Sequence, residues 1–169
     1  MSISEFEDAY EDKELIRGAI LATPIRQLKL REPVLVDAAT TVVAAVQAMN
    51  EQRIGCVLVQ QNGKLAGIFT ERDVLKRVVF RNESRAMLVE SVMTRDPEVL
   101  DASATVAYAL NMMSVGGYRH LPIVDRDGRA VGVLSVRDIV DFIVDLYPDG
   151  VHNLPPSPGA GIAKSTDGG

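Results

Sequence analysis

The sequence of 169 residues contains one cysteine, two histidines and no tryptophan, and aromatic residues make up only 5% of it. Cys56 has no second cysteine for an intramolecular disulfide, and its neighbours in I-G-C-V-L-V are typical of a buried strand. The histidines, His120 and His152, lie far apart in the chain without carboxylates at telling spacings. We therefore expect no metal site, because such a site needs several ligands at set spacings.

Catalytic machinery is also missing from the sequence. No nucleophile has a paired general base, and no pair of carboxylates marks a cleft. The only thiol, in its predicted strand, has no electropositive partner beside it that would lower its pKa. We therefore expect that the protein is not an enzyme.

Long apolar runs and a large basic excess are absent as well. No run approaches the roughly 20 apolar residues of a membrane span, and M-S-I-S-E-F-E-D-A-Y-E-D lacks the regions of a signal peptide. A cytoplasmic protein outside the membrane is therefore expected. The formal net charge of -5 and the pI near 5.0 argue against nucleic-acid binding. A small anionic ligand remains compatible, since a few local basic residues suffice for it.

What remains is the composition of an ordinary globular protein, with 47% hydrophobic and 24% charged residues. Residues 1–23 precede the repeats described below, and D-K-E-L-I-R-G-A-I-L-A predicts a short amphipathic helix that covers one edge. Residues 148–169 form a tail rich in Pro, Gly and Ser, for which we expect disorder. Its segment V-H-N-L-P-P has an alternative role in docking locally on this protein or on a partner.

The chain repeats itself. R-E-P-V-L-V-D-A-A-T-T-V at 31–42 matches R-D-P-E-V-L-D-A-S-A-T-V at 95–106, an offset of 64, and one apolar helical stripe follows in each copy. G-I-F-T-E-R-D-V at 67–74 then matches G-V-L-S-V-R-D-I at 132–139, an offset of 65. We place the extra residue of the second copy at the pair Gly116 and Gly117. Each copy ends in a helix with a predicted core face. In the first copy this face consists of Val74, Leu75, Val78 and Val79, and in the second copy of Ile139, Val140, Ile143 and Leu146.

Each copy also contains two apolar runs around a turn, Asn62-Gly63 or Asp127-Gly128, which predicts a hairpin. The repeating unit is therefore β-α-β-β-α, and the fold class is α+β. Units of roughly sixty residues are marginal alone. Repeats at 24–84 and 85–147 are thus expected to pack together through their sheets with pseudo-twofold symmetry.

The repeated T-E-R-D and S-V-R-D have two readings. Thr70 with Asp73, and Ser135 with Asp138, stand where a helix cap belongs, and capping alone explains them. Capping does not explain why an arginine follows in the first turn of both copies, or why glycine interrupts the preceding strand. A helix N-terminus beside an arginine receives phosphate, and a carboxylate accepts hydrogen bonds from ribose hydroxyls.

These motifs, twice in order, resemble a tandem pair of CBS domains, the regulatory modules named after cystathionine β-synthase, over about residues 24–147. The resemblance implies a disk-like module, often a homodimer, whose clefts bind AMP, ADP, ATP, S-adenosylmethionine or dinucleotides. It implies ribose and phosphate contacts at Thr70, Arg72, Asp73, Arg119, His120, Ser135, Arg137 and Asp138. It implies adenine contacts at Val34, Ile54, Val57, Val99, Tyr118 and Pro122.

The copies are not equivalent, because only the second contains Y-R-H-L-P-I-V-D. We expect the better phosphate site at Arg119, His120 and Arg137. His120 has the alternative role of a histidine hydrogen-bonded at a strand end, and Tyr118 that of packing alone. The expected function is that of a small stand-alone regulatory sensor that binds an adenosine-containing ligand and signals to a protein partner. The alternative is a ligand-free dimerisation or scaffold module.

Overall fold

The computed structural model describes residues 3–81 and 86–146. The Pro/Gly-rich tail, including V-H-N-L-P-P and His152, lies outside the described residues. The described chain begins with a helix, α1 (Ile3–Ala22), which packs against the first helix of the second repeat. It is longer than the short amphipathic helix that the sequence predicts. Ile20 contacts the core of repeat 2, whereas Leu15 and Leu21 are exposed.

The two repeats have the same order of elements. Repeat 1 contains β1 (Leu35–Asp37), α2 (Val42–Gln52), β2 (Cys56–Gln61), β3 (Lys64–Thr70) and α3 (Glu71–Asp73), which continues as a π-helical turn over Val74–Val78. Repeat 2 contains β4 (Thr94–Arg95), β5 (Leu100–Asp101), α4 (Val106–Gly116), β6 (His120–Val124), β7 (Ala130–Ser135) and α5 (Val136–Leu146). Short 3-10 helices, Ile25–Gln27 and Val89–Ser91, precede the first strand of each unit.

Both sheets combine one parallel pair with an antiparallel hairpin. β1 lies parallel to β2, and β5 lies parallel to β6, while β2–β3 and β6–β7 are antiparallel. β4 adds a fourth strand to the first sheet by pairing with β3. In return Arg31 bridges Val133 of the second sheet. Each repeat thus lends the segment that precedes its parallel strand, β1 or β5, to the sheet of the other repeat.

The cores show the same exchange. Ile25 and Leu28, which precede β1, are buried in the core of repeat 2, while Val89 and Val92 are buried in the core of repeat 1. A third buried cluster joins the two sheets through Cys56, Leu58 and Ile68, with Leu65, Ala130 and Val133 packed against it. The expected packing of the repeats through their sheets is therefore observed, and Cys56 is a buried strand residue.

The extra residue of repeat 2 does not lie at Gly116 and Gly117. Arg53 and Gly117 both end their helices in the left-handed conformation, with φ of 53° and 68°, so the offset is still 64 there. It changes in the hairpin turn, where Gln60 pairs with Leu65 but Val124 pairs with Ala130. The shorter turn uses Asn62 and Gly63, both at positive φ. The longer turn instead folds around the Asp125 carboxylate, which accepts hydrogen bonds from the backbone N–H groups of Asp127 and Arg129.

The last helices of the repeats bury less than their sequences predict. In repeat 1 Val78 is buried and Val74 is half-buried, but Leu75 and Val79 are exposed. In repeat 2 Ile139 is buried and Ile143 packs against the core, whereas Val140 is exposed. A helix presents only one stripe to a single neighbouring sheet, so adjacent apolar positions cannot all face the core.

Candidate functional site

The strand-to-helix corner of each repeat is a capping box. In repeat 1 the Asp73 Oδ2 accepts hydrogen bonds from the Thr70 N–H at 3.0 Å and from its hydroxyl at 2.7 Å, and the Asp73 N–H donates to that hydroxyl. Ser135 and Asp138 repeat this arrangement at 2.7 and 2.6 Å. The hydroxyl–aspartate pairs therefore perform the capping role that their spacing predicts.

The two aspartates differ in their second oxygen. The Asp73 Oδ1 lies 3.4 Å from Nη1 of Arg77, and the Asp73 side chain is only 10% exposed. The Asp138 Oδ1 has no hydrogen-bond or ion-pair partner among residues 3–81 and 86–146. The residue four positions after Asp138 is Phe142, which packs against the core of repeat 2. Of the two carboxylates, Asp138 therefore retains an acceptor for a ligand.

Asp138 lines an open cleft of about 300 Å³ between the repeats. Repeat 1 supplies one wall of this open cleft, including Val34, Ile54 and Gly55. Repeat 2 supplies the other wall, including Ser135, Arg137 and Asp138 at the N-terminus of α5. Four arginines line it in all: Arg31, Arg53, Arg119 and Arg137. Glu32 and Asp138 are its acidic residues, so cationic side chains predominate.

The structure divides the predicted contact residues into three groups. The open cleft is lined by Val34, Ile54, Arg119, His120, Ser135, Arg137 and Asp138. A second group, which we call the Asp73 corner, consists of Thr70, Arg72, Asp73 and Tyr118. Tyr118 is included because Nη1 of Arg72 donates a 3.0 Å hydrogen bond to the carbonyl of the preceding residue, Gly117. The third group, Val57, Val99 and Pro122, lies outside the lining of the open cleft.

Packing accounts for part of the third group. Val57 is fully buried in the core of repeat 1, so its side chain serves packing, and a contact of adenine with its backbone stays a prediction. Pro122 is buried within β6. Val99 is 38% exposed, just before β5. Tyr118 is 40% exposed, and its ring lies over Gly116, where any side chain would collide with it.

Sequence reasoning did not include Arg31 and Arg53 among the contact residues. Arg31 belongs to the segment that bridges to Val133 of the second sheet, and this crossing brings it to the open cleft. Arg53 holds the left-handed position at which repeat 2 has Gly117. The sequence did contain a signal for Arg53. When the two repeats are aligned, α2 and α4 end at the same position, and repeat 1 has a cation there although the position favours glycine.

His120 lies where the two repeats meet. A Cβ at Gly55 would stand 3.1 Å from Cε1 of His120 and 3.4 Å from Oε2 of Glu71, so glycine makes room for both side chains. Burial lowers the pKa of His120 and Arg119 lowers it further, whereas the carboxylates of Glu71 and Asp138 raise it. Burial, with the same two carboxylates, raises the pKa of the Cys56 thiol to about 12. His120 is therefore neutral at pH 7 in the absence of an anion, and Cys56 is an unreactive thiol.

Comparison with known proteins identifies the family. The CBS domain model matches residues 25–79 and again residues 89–145. The chain belongs to the CBS-domain family. The resemblance inferred from the repeated motifs is confirmed, as is the α+β fold of two packed repeats. The chain is thus a CBS pair, a kind of module that is generally regulatory.

Individual CBS proteins resemble the chain closely. It is 41% identical over 106 residues to the CBS domain-containing protein CBSCBSPB2 of Arabidopsis thaliana, covering 62% of this chain but only 20% of that protein. Among solved structures, a CBS-domain containing protein of Agrobacterium tumefaciens is 30% identical, with a TM-score of 0.66 and coverage of 71% of this chain and 98% of that chain. A CBS domain protein of Pyrobaculum aerophilum, solved in complex with AMP, has the same fold at 22% identity, with a TM-score of 0.66 and coverage of 75% and 99%.

Within residues 3–81 and 86–146, no group of three or more His, Cys, Asp and Glu side chains is placed to hold a metal ion. Over the same ranges, none of the helices combines the length and the apolar composition that crossing a membrane requires.

Proposed function

We propose that this CBS pair is a regulatory sensor that binds an anionic adenosine-type ligand in the open cleft and transmits its occupancy to a protein partner. The proposal depends on the Asp138 carboxylate. Its Oδ1 has no partner among the described residues, and Asp138 lines the open cleft together with four arginines. A carboxylate oxygen accepts hydrogen bonds from the adjacent hydroxyls of a ribose. Arginines bind phosphate oxygens with two parallel hydrogen bonds.

The remaining walls of the open cleft fit the other parts of such a ligand. Val34 and Ile54 offer apolar surface to an adenine ring. The N-terminus of the 11-residue helix α5 provides backbone N–H groups and a positive dipole end beside Ser135 and Arg137. The cationic excess favours AMP, ADP or ATP over S-adenosylmethionine, because the latter carries a positive sulfonium group.

Signalling follows from the position of the open cleft between the repeats. Arg31 and Arg53 come from repeat 1, whereas Arg119 and Arg137 come from repeat 2. An anion that contacts both pairs favours one packing of the repeats over others. A tenfold preference for that packing shifts the equilibrium by about 1.4 kcal/mol.

A homodimer and a cytoplasmic location complete the proposal. Leu75 is exposed on the last helix of repeat 1, Val79 and Phe80 are exposed directly after that helix, and Val140 is exposed on the last helix of repeat 2. Exposed apolar side chains on helices are candidates for contact with a second copy or with the regulated partner. The protein partner itself is not specified by these side chains.

The test is the melting temperature of the purified protein with AMP, ADP, ATP, S-adenosylmethionine or NADH. A ligand at 100 times its dissociation constant adds about 2.7 kcal/mol of stability, which raises the melting temperature by several degrees. The Asp138→Ala variant is expected to bind roughly ten- to a hundredfold more weakly, because it loses charge-assisted hydrogen bonds to the ribose. The matched Asp73→Ala variant is expected to keep the response of the wild type.

The alternative function is a ligand-free scaffold, and the complete capping boxes favour it. Both aspartates already stabilise a helix start without any ligand. If the scaffold is correct, neither the wild type nor the variants respond to any compound at millimolar concentration. Asp73→Ala and Asp138→Ala then each lower stability by about 1 kcal/mol and change nothing else.

A further inference from the structure

Arg77 connects the Asp73 corner to the segment that precedes repeat 2. Its Nη1 lies 3.4 Å from the Asp73 Oδ1 and donates hydrogen bonds of 2.8 Å to the carbonyls of Val92 and Met93. Val92 and Met93 are themselves buried in the core of repeat 1. Arg77 is therefore fixed by backbone groups that do not depend on Asp73.

This arrangement leaves little capacity for a ligand at Asp73. The Oδ2 accepts hydrogen bonds from the N–H and the hydroxyl of Thr70, and the Oδ1 faces the guanidinium of Arg77. The side chain of Asp73 is 10% exposed. A ribose would have to replace a cation with neutral hydroxyl donors at a buried carboxylate, which weakens the interaction at that oxygen.

Within residues 3–81 and 86–146, no salt bridge joins Asp138 to a cation. Phe142 stands at the position that corresponds to Arg77, since Asp73 and Asp138 differ by the same offset of 65. Phe142 packs against the core of repeat 2 and leaves the Asp138 Oδ1 beside the open cleft. The two corners thus share the capping box but differ in the group that meets the second carboxylate oxygen.

A second contact restrains the Asp73 corner. Arg72 donates a 3.0 Å hydrogen bond to the carbonyl of Gly117, so its guanidinium is tied to the loop that precedes β6. The corresponding Arg137 lines the open cleft, and its nearest acidic partner is Asp141 at 3.8 Å. Arg72 and Arg77 are thus both tied to the protein itself.

We infer that Arg77 closes the ribose site of repeat 1, so that each chain binds one adenosine-type ligand, at Asp138. The inference rests on the proposed function for the identity of the ligand. The two corners then differ in ligand binding because of one side chain outside the repeated motif, that of Arg77. Replacing Arg77 with the residue found in repeat 2 should therefore create a second site.

The experiment is a calorimetric titration with ADP of the full chain and of Arg77→Phe. We expect one site per chain in the wild type and two in Arg77→Phe. Adding Asp73→Ala to Arg77→Phe should return the count to one, and adding Asp138→Ala instead should leave one site at Asp73. Arg77→Lys, which keeps the cation, should bind one ADP like the wild type.

A second variant, Arg77→Gln, tests the inference if Arg77→Phe does not fold. Arg77→Gln keeps a donor for the carbonyls of Val92 and Met93 but has no charge, and it should also bind two ADP molecules. Two sites in the wild type, or one site in both folded Arg77→Phe and Arg77→Gln, would overturn the inference and leave the proposed function standing. No ADP binding to the wild type with one site in Arg77→Phe would contradict the proposed function and the site at Asp138, and would support only the closure of the repeat 1 site by Arg77. No binding to either protein would sink both.

Discussion

The corner after β3 and the corner after β7 begin with the same capping box, but one is packed against its own chain and the other lines a cleft. In repeat 1 the guanidinium of Arg77 meets the second oxygen of Asp73. In repeat 2 the corresponding oxygen of Asp138 has no partner among the described residues. The hydroxyl–aspartate motif thus secures a helix start in both repeats, while a side chain beyond the motif determines whether the second carboxylate oxygen already has a partner.

The glycines of the motif show the same contrast. A Cβ at Gly67 would lie 2.9 Å from the carbonyl oxygen of Thr94, and it would also collide with Met93. A Cβ at Gly132 would meet only side chains, the nearest being Ile123 at 3.6 Å. What approaches the backbone of Gly67 is therefore the β4 segment of the same chain, and glycine is needed there for packing.

The largest expected effect follows from these glycines. Gly67→Ala should lower the free energy of unfolding by about 1–3 kcal/mol, because the backbone of Thr94 cannot withdraw without disturbing β4. Gly132→Ala should be neutral or stabilising by about 0.5–1 kcal/mol, since alanine is better than glycine in a strand interior. Urea denaturation of both variants measures the difference. Equal destabilisation by the two alanines would contradict the contrast.

The caps should give the next largest effect. Thr70→Ala and Ser135→Ala should each lower stability by about 1 kcal/mol, because each removes the hydroxyl that accepts a hydrogen bond from the aspartate N–H. The loss should be greater for Thr70→Ala, since it leaves the buried carboxylate of Asp73 with one donor fewer.

Thr70→Ser and Ser135→Thr are the controls for the caps, since each keeps the hydroxyl and should retain stability to within about 0.5 kcal/mol. Denaturation midpoints of the four variants make the comparison. A loss from Ser135→Ala that exceeds the loss from Thr70→Ala would show that burial of the aspartate is not what separates the corners.

The smallest expected effect concerns His120 and Cys56, which occupy corresponding positions in β6 and β2. The pKa of His120 is lowered from 6.5, first by burial and then by Arg119, against the opposite effect of Glu71 and Asp138. The unfolded chain therefore binds a proton more readily, so stability should fall as the pH drops below 6.5 towards the lower pKa of the folded state. Cys56, whose pKa is about 12, does not titrate in this range.

His120→Gln isolates this contribution of the histidine. The difference in unfolding free energy between the wild type and His120→Gln should change between pH 7.5 and pH 5.5, with the wild type losing more. An anion in the open cleft should reverse the trend, because it favours protonated His120. Parallel pH profiles of the two proteins would mean that burial does not perturb this histidine.

Much of the fold could be predicted from the sequence because its signals are local. The offset between the copies, the Asn62-Gly63 turn and the capping hydroxyls each depend on a few neighbouring residues, and they give the order of elements. The position of the extra residue was predicted wrongly at Gly116 and Gly117. The sequence of β6 contains no local signal that distinguishes an offset of 64 from an offset of 65 relative to β2. The exposure of Leu75 and Val79 was missed because apolar residues adjacent on a helix do not reveal which stripe meets the sheet.

The candidate site was less predictable than the fold. Ser135, Arg137 and Asp138 were found from their motif, and Arg119 and His120 from the strand before it, and all of them line the open cleft. Val57 was assigned to adenine because the resemblance implies a contact with the backbone of the strand before the hairpin, and the sequence does not reveal that its side chain is buried in the core of repeat 1. The boundary between residues 84 and 85, and the assignment of the contact residues to a ligand, stay predictions.

The sequence by itself determined the two α+β repeats, their hairpins and their capped helix starts, because hydrogen bonds between near neighbours and the periodicity of apolar residues specify those features. The tertiary structure was needed to see that Arg77 meets Asp73, that Arg31 reaches the cleft between the repeats, and that Met93 and Thr94 lie against Gly67. These contacts join segments that are distant in sequence or depend on the shape of a helix turn. The contacts of Arg31 and of β4 follow from the exchange of leading segments between the repeats, in which Arg31 bridges Val133 and β4 pairs with β3.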